Sequence, residues 1–398
     1  MNLASSSCSG SVQIINGFKA KIISLRLFMN IFSLALAQSN NPFKAIRYFN
    51  EIAKRRRKYQ GYDKISRYVK CNGKYYWADQ IPGWPSKNFD NFFIGELMRC
   101  KSGNSIQGQM NTIIFSITSR CGLQCRHCFE WDNLDDKEHL SIEALLEILE
   151  KVRTLGITHI QFGGGEPLAR FNDLLSLIEN AKPGMDCWIL TSGFGLTSDK
   201  AFRLKEAGLT GASISLDHWE ENAHNEFRNN EKSFYWVKEA IKNCNKAGII
   251  VSLSVCSTRE FVTPENLRRY LDLAKEWGAG FIRILEPRKT GRFKNEDVKL
   301  NEAAIKLLID FYLESYREIK YRDHPIVMYP GYDQRQAGCL GAGNRFMYID
   351  SKGDIHACPF CHGSVGNATE DDLEEAVSKL KRIGCKEYVF CSKDQALI

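Results

Sequence analysis

Residues 121–128 read Cys121-Gly-Leu-Gln-Cys125-Arg-His-Cys128, three thiols within one short stretch. Thiolates packed that closely in sequence converge on a single soft metal centre. The ligand count then separates the candidates. Structural zinc takes four closed ligands, and His127 adjoins Cys128, so it is poorly placed to be the fourth. A four-iron cube held by three cysteines leaves one iron open to a small chelating ligand. Further on, Gln161-Phe162 runs into Gly163-Gly164-Gly165-Glu166-Pro167. Glycines let a backbone approach a ligand closely, and a carboxylate among them can accept from an ammonium group.

Loops of this kind need a scaffold that ends its strands beside one another. From residue 112 the chain alternates β-rich runs with amphipathic helical stretches. The spacing predicts strands at Thr112–Thr118, His159–Phe162, Asp186–Thr191, Ala212–Leu216, Ile249–Val255 and Phe281–Leu285. It predicts helices near 141–154, 171–181, 198–207, 232–247, 264–277 and 301–319, with Leu145, Leu146, Leu149 and Val152 showing the helical period. Six βα units in a row demand a parallel sheet with right-handed crossovers. Eight would close a full barrel, so the expected α/β fold is a partial, open (β/α)₆ TIM-like barrel. Its ligands sit at the carboxyl ends of the strands, and the cysteine and glycine loops both fall there.

Cys-x₃-Cys-x₂-Cys after the first strand, with Gly-Gly-Glu-Pro after the second, resembles the radical S-adenosylmethionine (SAM) superfamily. His127 stands where an aromatic residue is usual and keeps a flat ring. The resemblance implies that Cys121, Cys125 and Cys128 hold a [4Fe-4S] cluster. It implies that Gly164, Gly165 and Glu166 meet the amino group of SAM. Ser192, in Thr191-Ser192-Gly193, resembles the polar ending of the third strand. Ser215 and Asp217 end the fourth, where family members place polar contacts to SAM. Arg228 resembles an arginine that pairs with the SAM carboxylate in some members, although Asn229 stands where Gly is common. The implied reaction is one-electron reduction of the SAM sulfonium to give methionine and a 5′-deoxyadenosyl radical, which takes hydrogen from a substrate carbon. A reductant such as flavodoxin or ferredoxin is the implied electron source. The cofactor breaks the bond, and the protein sets distance, orientation and dryness.

Beyond the barrel, Cys339 followed by Gly353-Asp-Ile-His-Ala-Cys358 resembles the opening of SPASM and twitch extensions, which carry auxiliary iron–sulfur clusters. Residues 345–350 and 355–357 around Ser351-Lys352-Gly353 read as a hairpin that brings Cys339 and Cys358 together. Cys361 adds a third thiol, and Cys385, with Cys391 as substitute, a fourth. A full SPASM domain needs further cysteines where Arg382 and Gln395 stand. The expectation is therefore one auxiliary [4Fe-4S] cluster, with a four-cysteine zinc site as the alternative. Cys187, Cys244 and Cys256 have no sequence partners and read as core residues.

The formal charge of +7 is uneven. Residues 1–60 hold ten Lys/Arg against Glu51, or 10 − 1 = +9, leaving 7 − 9 = −2 for the rest. A near-neutral body argues against a nucleic-acid protein, although the basic arm keeps that reading testable. Within the arm, the apolar run Leu27–Ala37 is too short to span a bilayer. It reads as a leader with a cleavage site at Ala35-Leu36-Ala37 or as an interfacial segment, and Met29 offers an alternative start. Ile31, Leu34, Phe43, Ile46 and Phe49, followed by Lys54-Arg55-Arg56-Arg57-Lys58, suit contact with an anionic membrane surface. Asn72-Gly73 between Arg67-Tyr68-Val69 and Lys74-Tyr75-Tyr76-Trp77 predicts an aromatic hairpin that packs its rings on the next unit.

The expected organisation is a leader or interfacial segment over 1–37 and a basic helix and hairpin extension over 38–110. The core follows over 111–320, and a small Cys-rich α+β extension over 321–398. Thiolate chemistry wants a reducing compartment, so the expected location is cytoplasmic, on the inner face of the membrane if the arm binds it. The first functional reading is a radical SAM enzyme acting on a peptide, protein, small molecule or lipid-linked substrate. The alternative is an iron–sulfur electron carrier or metal-binding scaffold without SAM cleavage.

Overall fold

The computed structural model describes residues 12–60, 66–101, 110–135 and 137–385. Cys8, and Cys391 as substitute ligand, lie outside the described residues. The N-terminal extension is built from β1 (Gln13–Ile15), α1 (Gly17–Ser39), α2 (Pro42–Gln60), β2 (Tyr68–Cys71), β3 (Lys74–Tyr76) and α3 (Lys87–Lys101). The three strands form an antiparallel sheet in the order β1-β2-β3. Asn72 and Gly73 both take positive φ, 48° and 74°, the backbone that a two-residue hairpin requires.

The extension differs from the sequence reading in three ways. Gln13–Ile15, expected to carry no element, pairs with Tyr68–Lys70, because a three-residue strand takes its stability from a distant partner rather than from its own sequence. The apolar run expected over Leu27–Ala37 is part of a 23-residue helix. Ile31 is buried, and Leu34 and Phe49 are half-buried, so three of the residues expected to face a membrane pack inward instead. Ala20, Ile23, Leu27 and Ile31 meet Tyr68, Phe89, Phe92 and Phe93 in a cluster that also takes in Trp77 and Trp84. The hairpin's rings therefore pack within the protein.

The core follows. Six parallel strands, β4 (Thr112–Ser116), β5 (His159–Gly163), β6 (Asp186–Thr191), β7 (Leu209–Ser215), β8 (Ile250–Cys256) and β9 (Phe281–Leu285), lie side by side in chain order. Their crossovers use α4 (Ile142–Thr154), α5 (Phe171–Ala181), α6 (Ser198–Ala207), α7 (Glu221–Arg228), α8 (Ser233–Ala247) and α9 (Pro264–Glu276), and α10 (Glu302–Arg317) follows β9. Paired residues in a parallel ladder share a face. Ile113, Ile160, Ile189, Ala212, Val251 and Ile282 are fully or almost fully buried and form the apolar side under the helices. The register that aligns Ser213 with Ser252 and Ser254 with Arg283 gives the other side, the lumen, its polar character.

The sheet continues past the core and does not close. β10 (Ile326–Met328) adds in parallel beside β9 and is followed by α11 (Pro330–Ala337). β11 (Phe346–Ile349) adds in parallel beside β4, and β12 (Asp354–Cys358) and β13 (Cys361–Asn367) extend that edge antiparallel, before α12 (Leu373–Ile383). The predicted hairpin at 351–353 is present. Even so, the sheet runs through the position expected as a boundary at 320, since three residues of Ile-Val-Met are too few to register as a strand.

The extension covers the amino ends of the barrel strands. Arg67 donates to the carbonyls of Ser315, Tyr321 and His324. Asp186, the first residue of β6, accepts from the Gly83 amide at 3.2 Å. Deeper in the lumen, Asp79 receives Arg283 at 2.7 and 3.1 Å and Ser252 at 2.8 Å. The carboxyl ends of the strands are left for the site.

Candidate functional site

The cysteine loop leaves β4 and is held by its backbone on several sides. The Gly165 and Glu166 amides donate to Thr118 and Arg120 carbonyls, each at 2.8 Å. The Arg126 amide donates to Phe227 and the Arg292 amide to Cys128, each at 3.0 Å. His127 stacks on Phe227 with ring centroids 4.9 Å apart, which is a use for the flat ring at that position. Cys125 is buried, and Cys121 and Cys128 are half-buried. Burial pushes the Cys121 thiol up to about 11 and the Cys128 thiol up to about 12. A metal bound here must displace those protons.

Gly165 is where the second loop must approach the first. A Cβ there would lie 2.3 Å from the Arg120 carbonyl oxygen and 3.0 Å from the Cys121 Cβ, so only glycine fits. The next residue, Glu166, is buried, and its carboxylate is collected by a set of donors. Thr191 Oγ1 reaches Oε1 at 2.7 Å, the Ser192 amide reaches Oε2 at 2.9 Å, and the Ser192 hydroxyl also donates to Oε2. Burial raises the Glu166 carboxyl, and these hydrogen bonds offset part of the rise. The Leu168 amide, 3.3 Å from Oε1, is a fourth neutral donor, and no cation among the described residues touches the carboxylate, which suits it to an incoming ammonium group. Ser192, expected among the ligand contacts, orients Glu166.

Ser215 ends β7 and is half-buried on the face it shares with Ser254. Asp217 follows it and is buried between several partners. Its carboxylate accepts from Arg228 Nε at 2.6 Å and from the Cys256 amide at 3.0 Å. Its own amide donates to His224 Nδ1 at 3.0 Å. Burial works to raise the Asp217 carboxyl and is the largest single influence, but Arg228, His127, His224 and the Cys256 amide together outweigh it and leave the group below its usual range. Arg228 in turn points Nη1 at the Cys125 sulfur, 3.5 Å away. The arginine expected to meet a SAM carboxylate is thus placed against a thiol of the cysteine loop. A charged donor on a ligand sulfur tunes an iron–sulfur centre.

The C-terminal thiols also assemble. The Sγ atoms of Cys358 and Cys361 lie 3.4 Å apart across the turn between β12 and β13. Cys385 hydrogen-bonds both Cys339 and Cys361. Sharing protons with neighbouring sulfurs raises the Cys339 and Cys361 thiols and lowers Cys358. The contacts run as a chain, Cys339 to Cys385 to Cys361 to Cys358, and bring together four soft donors of the type a metal binds as thiolates. Cys187, Cys244 and Cys256 are buried in the core, as expected.

Three residues after β9 were not singled out in the sequence. Gly291 has φ +52°, and a Cβ there would lie 2.1 Å from the Cys128 carbonyl oxygen. Arg292 donates to the Gln124 carbonyl and stacks over Trp131 at 4.3 Å. Thr290 hydrogen-bonds His362, the neighbour of Cys361. This short segment therefore touches both cysteine groups. Nothing in Thr290-Gly291-Arg292 signals that, because the partners are remote in sequence. A cavity of about 360 Å³ lies away from the cysteine loop, where Leu27 and Ile52 of the extension face Tyr312 and Tyr316 of α10.

Residues 115–276 match the Radical SAM superfamily. The chain is 26% identical over 275 residues to a PqqA peptide cyclase of Streptomyces rochei, covering 67% of this chain and 74% of that protein. It is 28% identical over 218 residues to an Fe-coproporphyrin III synthase of Methanosarcina barkeri, covering 54% of this chain and 53% of that protein. Among solved structures it is similar to Streptococcus suis SuiB bound to precursor peptide SuiA, with a TM-score of 0.57 at 17% identity. That match covers 86% of this chain and 80% of the other, and at such identity it speaks for the fold alone.

Proposed function

The chain belongs to the radical SAM superfamily, and from that premise we propose that it modifies a peptide. Cys121, Cys125 and Cys128 would hold a [4Fe-4S] cluster, with Glu166 receiving the amino group of SAM. The observation that carries the SAM reading is the buried Glu166 carboxylate, fixed by Thr191 and Ser192 beside the Cys121 turn. With cluster and SAM bound, the chemistry supplied is a 5′-deoxyadenosyl radical that removes hydrogen from a substrate carbon. The chain's own residues do the remaining work. Gly165 allows the two loops to touch, Arg228 directs charge at Cys125, and the Gly291–Arg292 segment clamps the cysteine loop.

Peptide is favoured over other substrates because a PqqA peptide cyclase is among the curated relatives. The porphyrin-making relative keeps a small-molecule reading in the comparison. Cys339, Cys358, Cys361 and Cys385 would hold one auxiliary [4Fe-4S] cluster, zinc being the alternative for the same donors. A protein such as flavodoxin or ferredoxin would deliver the electron. No disulfide joins the described cysteines, which suits a reducing, cytoplasmic compartment.

The test is anaerobic reconstitution of the full chain, then SAM, dithionite and a short peptide encoded beside its gene. The expected result is 5′-deoxyadenosine formed only with the peptide present, together with a peptide of altered mass. Glu166→Gln should keep its iron yet bind SAM about 10- to 100-fold more weakly, the effect of a lost charge-assisted hydrogen bond. A fully loaded protein whose cluster spectrum ignores SAM would move the reading to an electron carrier.

A further inference from the structure

Helix α1 is apolar on two opposite sides, and the fold uses only one of them. Ala20, Ile23, Leu27, Ile31 and Ala35 are buried in the extension. Opposite them, Phe18, Ile22, Leu25 and Met29 are 77%, 39%, 61% and 56% exposed. Their spacing of four, three and four residues makes them one straight stripe on the helix. At 100° per residue, Lys19 and Arg26 fall along one side of that stripe and Lys21 along the other. All three are exposed. Residues 12–50 contain no Asp or Glu, and Glu51 is the single acid in the sequence of α1 and α2, so the positive charges far outnumber the negative along this hairpin. Phe43 and Ile46, 82% and 45% exposed, add apolar surface at the start of α2.

We propose that this outward face of α1 docks the protein onto an anionic lipid surface. A helix lying in the interfacial plane puts its apolar stripe below the phosphates and its flanking Lys and Arg at their level. That is the arrangement found here, and each such base strengthens attachment to an anionic leaflet roughly fivefold. The sign of the charge selects the occupant. A second copy of the same face would set Lys19, Lys21 and Arg26 against their own equivalents, which repel. The helix is long and apolar enough to cross a bilayer, but its other side is committed to the protein. Ser24 hydrogen-bonds Tyr68 at 2.7 Å, and Asn30 accepts from Trp84 Nε1 at 2.6 Å. Spanning would strip those partners from α1. Docking leaves them intact and orders nothing new, so no folding cost opposes it.

The experiment is flotation of the full chain with vesicles of phosphatidylcholine alone, and with phosphatidylserine added. The expected result is flotation with the anionic vesicles only, lost in high salt. Lys19→Glu with Lys21→Glu should weaken binding about tenfold or more. Leu25→Glu with Met29→Glu should abolish it while far-UV circular dichroism and iron content stay as in the unaltered chain. Absence of flotation by the unaltered chain overturns the proposal, as does flotation of both variants equal to that of the unaltered chain. A dimer in solution that Leu25→Glu converts to monomer, without vesicle binding, overturns it in favour of self-association.

Discussion

The guanidinium of Arg228 lies 3.5 Å from the sulfur of Cys125. Its other contact, Asp217, sits 2.6 Å from Nε, and both charged side chains are buried. The pair thus ties the end of β7 and the last turn of α7 to the middle of the cysteine loop. Breaking a buried pair from one side leaves the other charge stranded, which costs about 3–5 kcal/mol. Arg228→Met should lose stability of that order in the metal-free protein, read from urea unfolding midpoints. A loss below about 1 kcal/mol, the range of exposed pairs, would mean that the Asp217 carboxylate is satisfied by the Cys256 amide alone.

Gly291→Ala and Gly122→Ala make a controlled comparison. The first would drive a Cβ to 2.1 Å from the Cys128 carbonyl oxygen at a residue with φ +52°, whereas the second meets nothing within 4 Å. Left-handed backbone and overlap each cost about 1–3 kcal/mol. Gly291→Ala should lower the iron bound by the cysteine loop, and Gly122→Ala should not. Iron analysis after reconstitution decides it, and equal iron in both would remove the clamp attributed to residues 290–292.

What the sequence disclosed follows from how far its partners lie along the chain. The cysteine loop and Gly164-Gly165-Glu166 were legible because their chemistry is carried by neighbours in sequence. The six core strands were legible too, since each has enough residues to show a pattern. Arg292 and Thr290 were not, because their meaning lies in contacts to Gln124 and His362, far away in the chain. Nor was the side of α1 that packs inward. A helix apolar on both faces has no single stripe, so Ile31 and Leu25 look equivalent until tertiary contacts bury one and expose the other. The strand at Ile326–Met328 failed for length alone.

Acid should destabilise the fold through two histidines far from the surface. His159 and His224 are fully buried, and burial lowers both to about 3. His224 Nδ1 accepts the Asp217 amide, a role that protonation abolishes. The unfolded chain, with histidines near 6.5, takes up these protons first. Stability from these groups is therefore complete above about pH 6.5 and is lost as pH falls toward 3, by several kcal/mol at most. Urea midpoints of metal-free protein should drop between about pH 7.5 and about pH 5. His224→Asn, whose Oδ1 can still accept the amide, should flatten that slope. An unchanged slope would assign the acid sensitivity elsewhere.

Metal content separates the two cysteine groups. Cys361 touches Cys358 at 3.4 Å and hydrogen-bonds Cys385, so with Cys385 it lies between the other two C-terminal thiols. If they hold an auxiliary cluster, the reconstituted chain should carry about eight irons, and Cys361→Ser about four. Cys125→Ala should lose the other four and all response to SAM, and Cys391→Ser should leave both values unchanged. The competing donor chemistry makes a different signature. A single tetrahedral metal with bonds of about 2.3 Å sets its sulfurs about 3.8 Å apart, near the Cys358–Cys361 separation. In that case about four irons persist in Cys361→Ser while one zinc disappears. Counting iron and zinc together in the three variants therefore distinguishes an electron-carrying second site from a structural one.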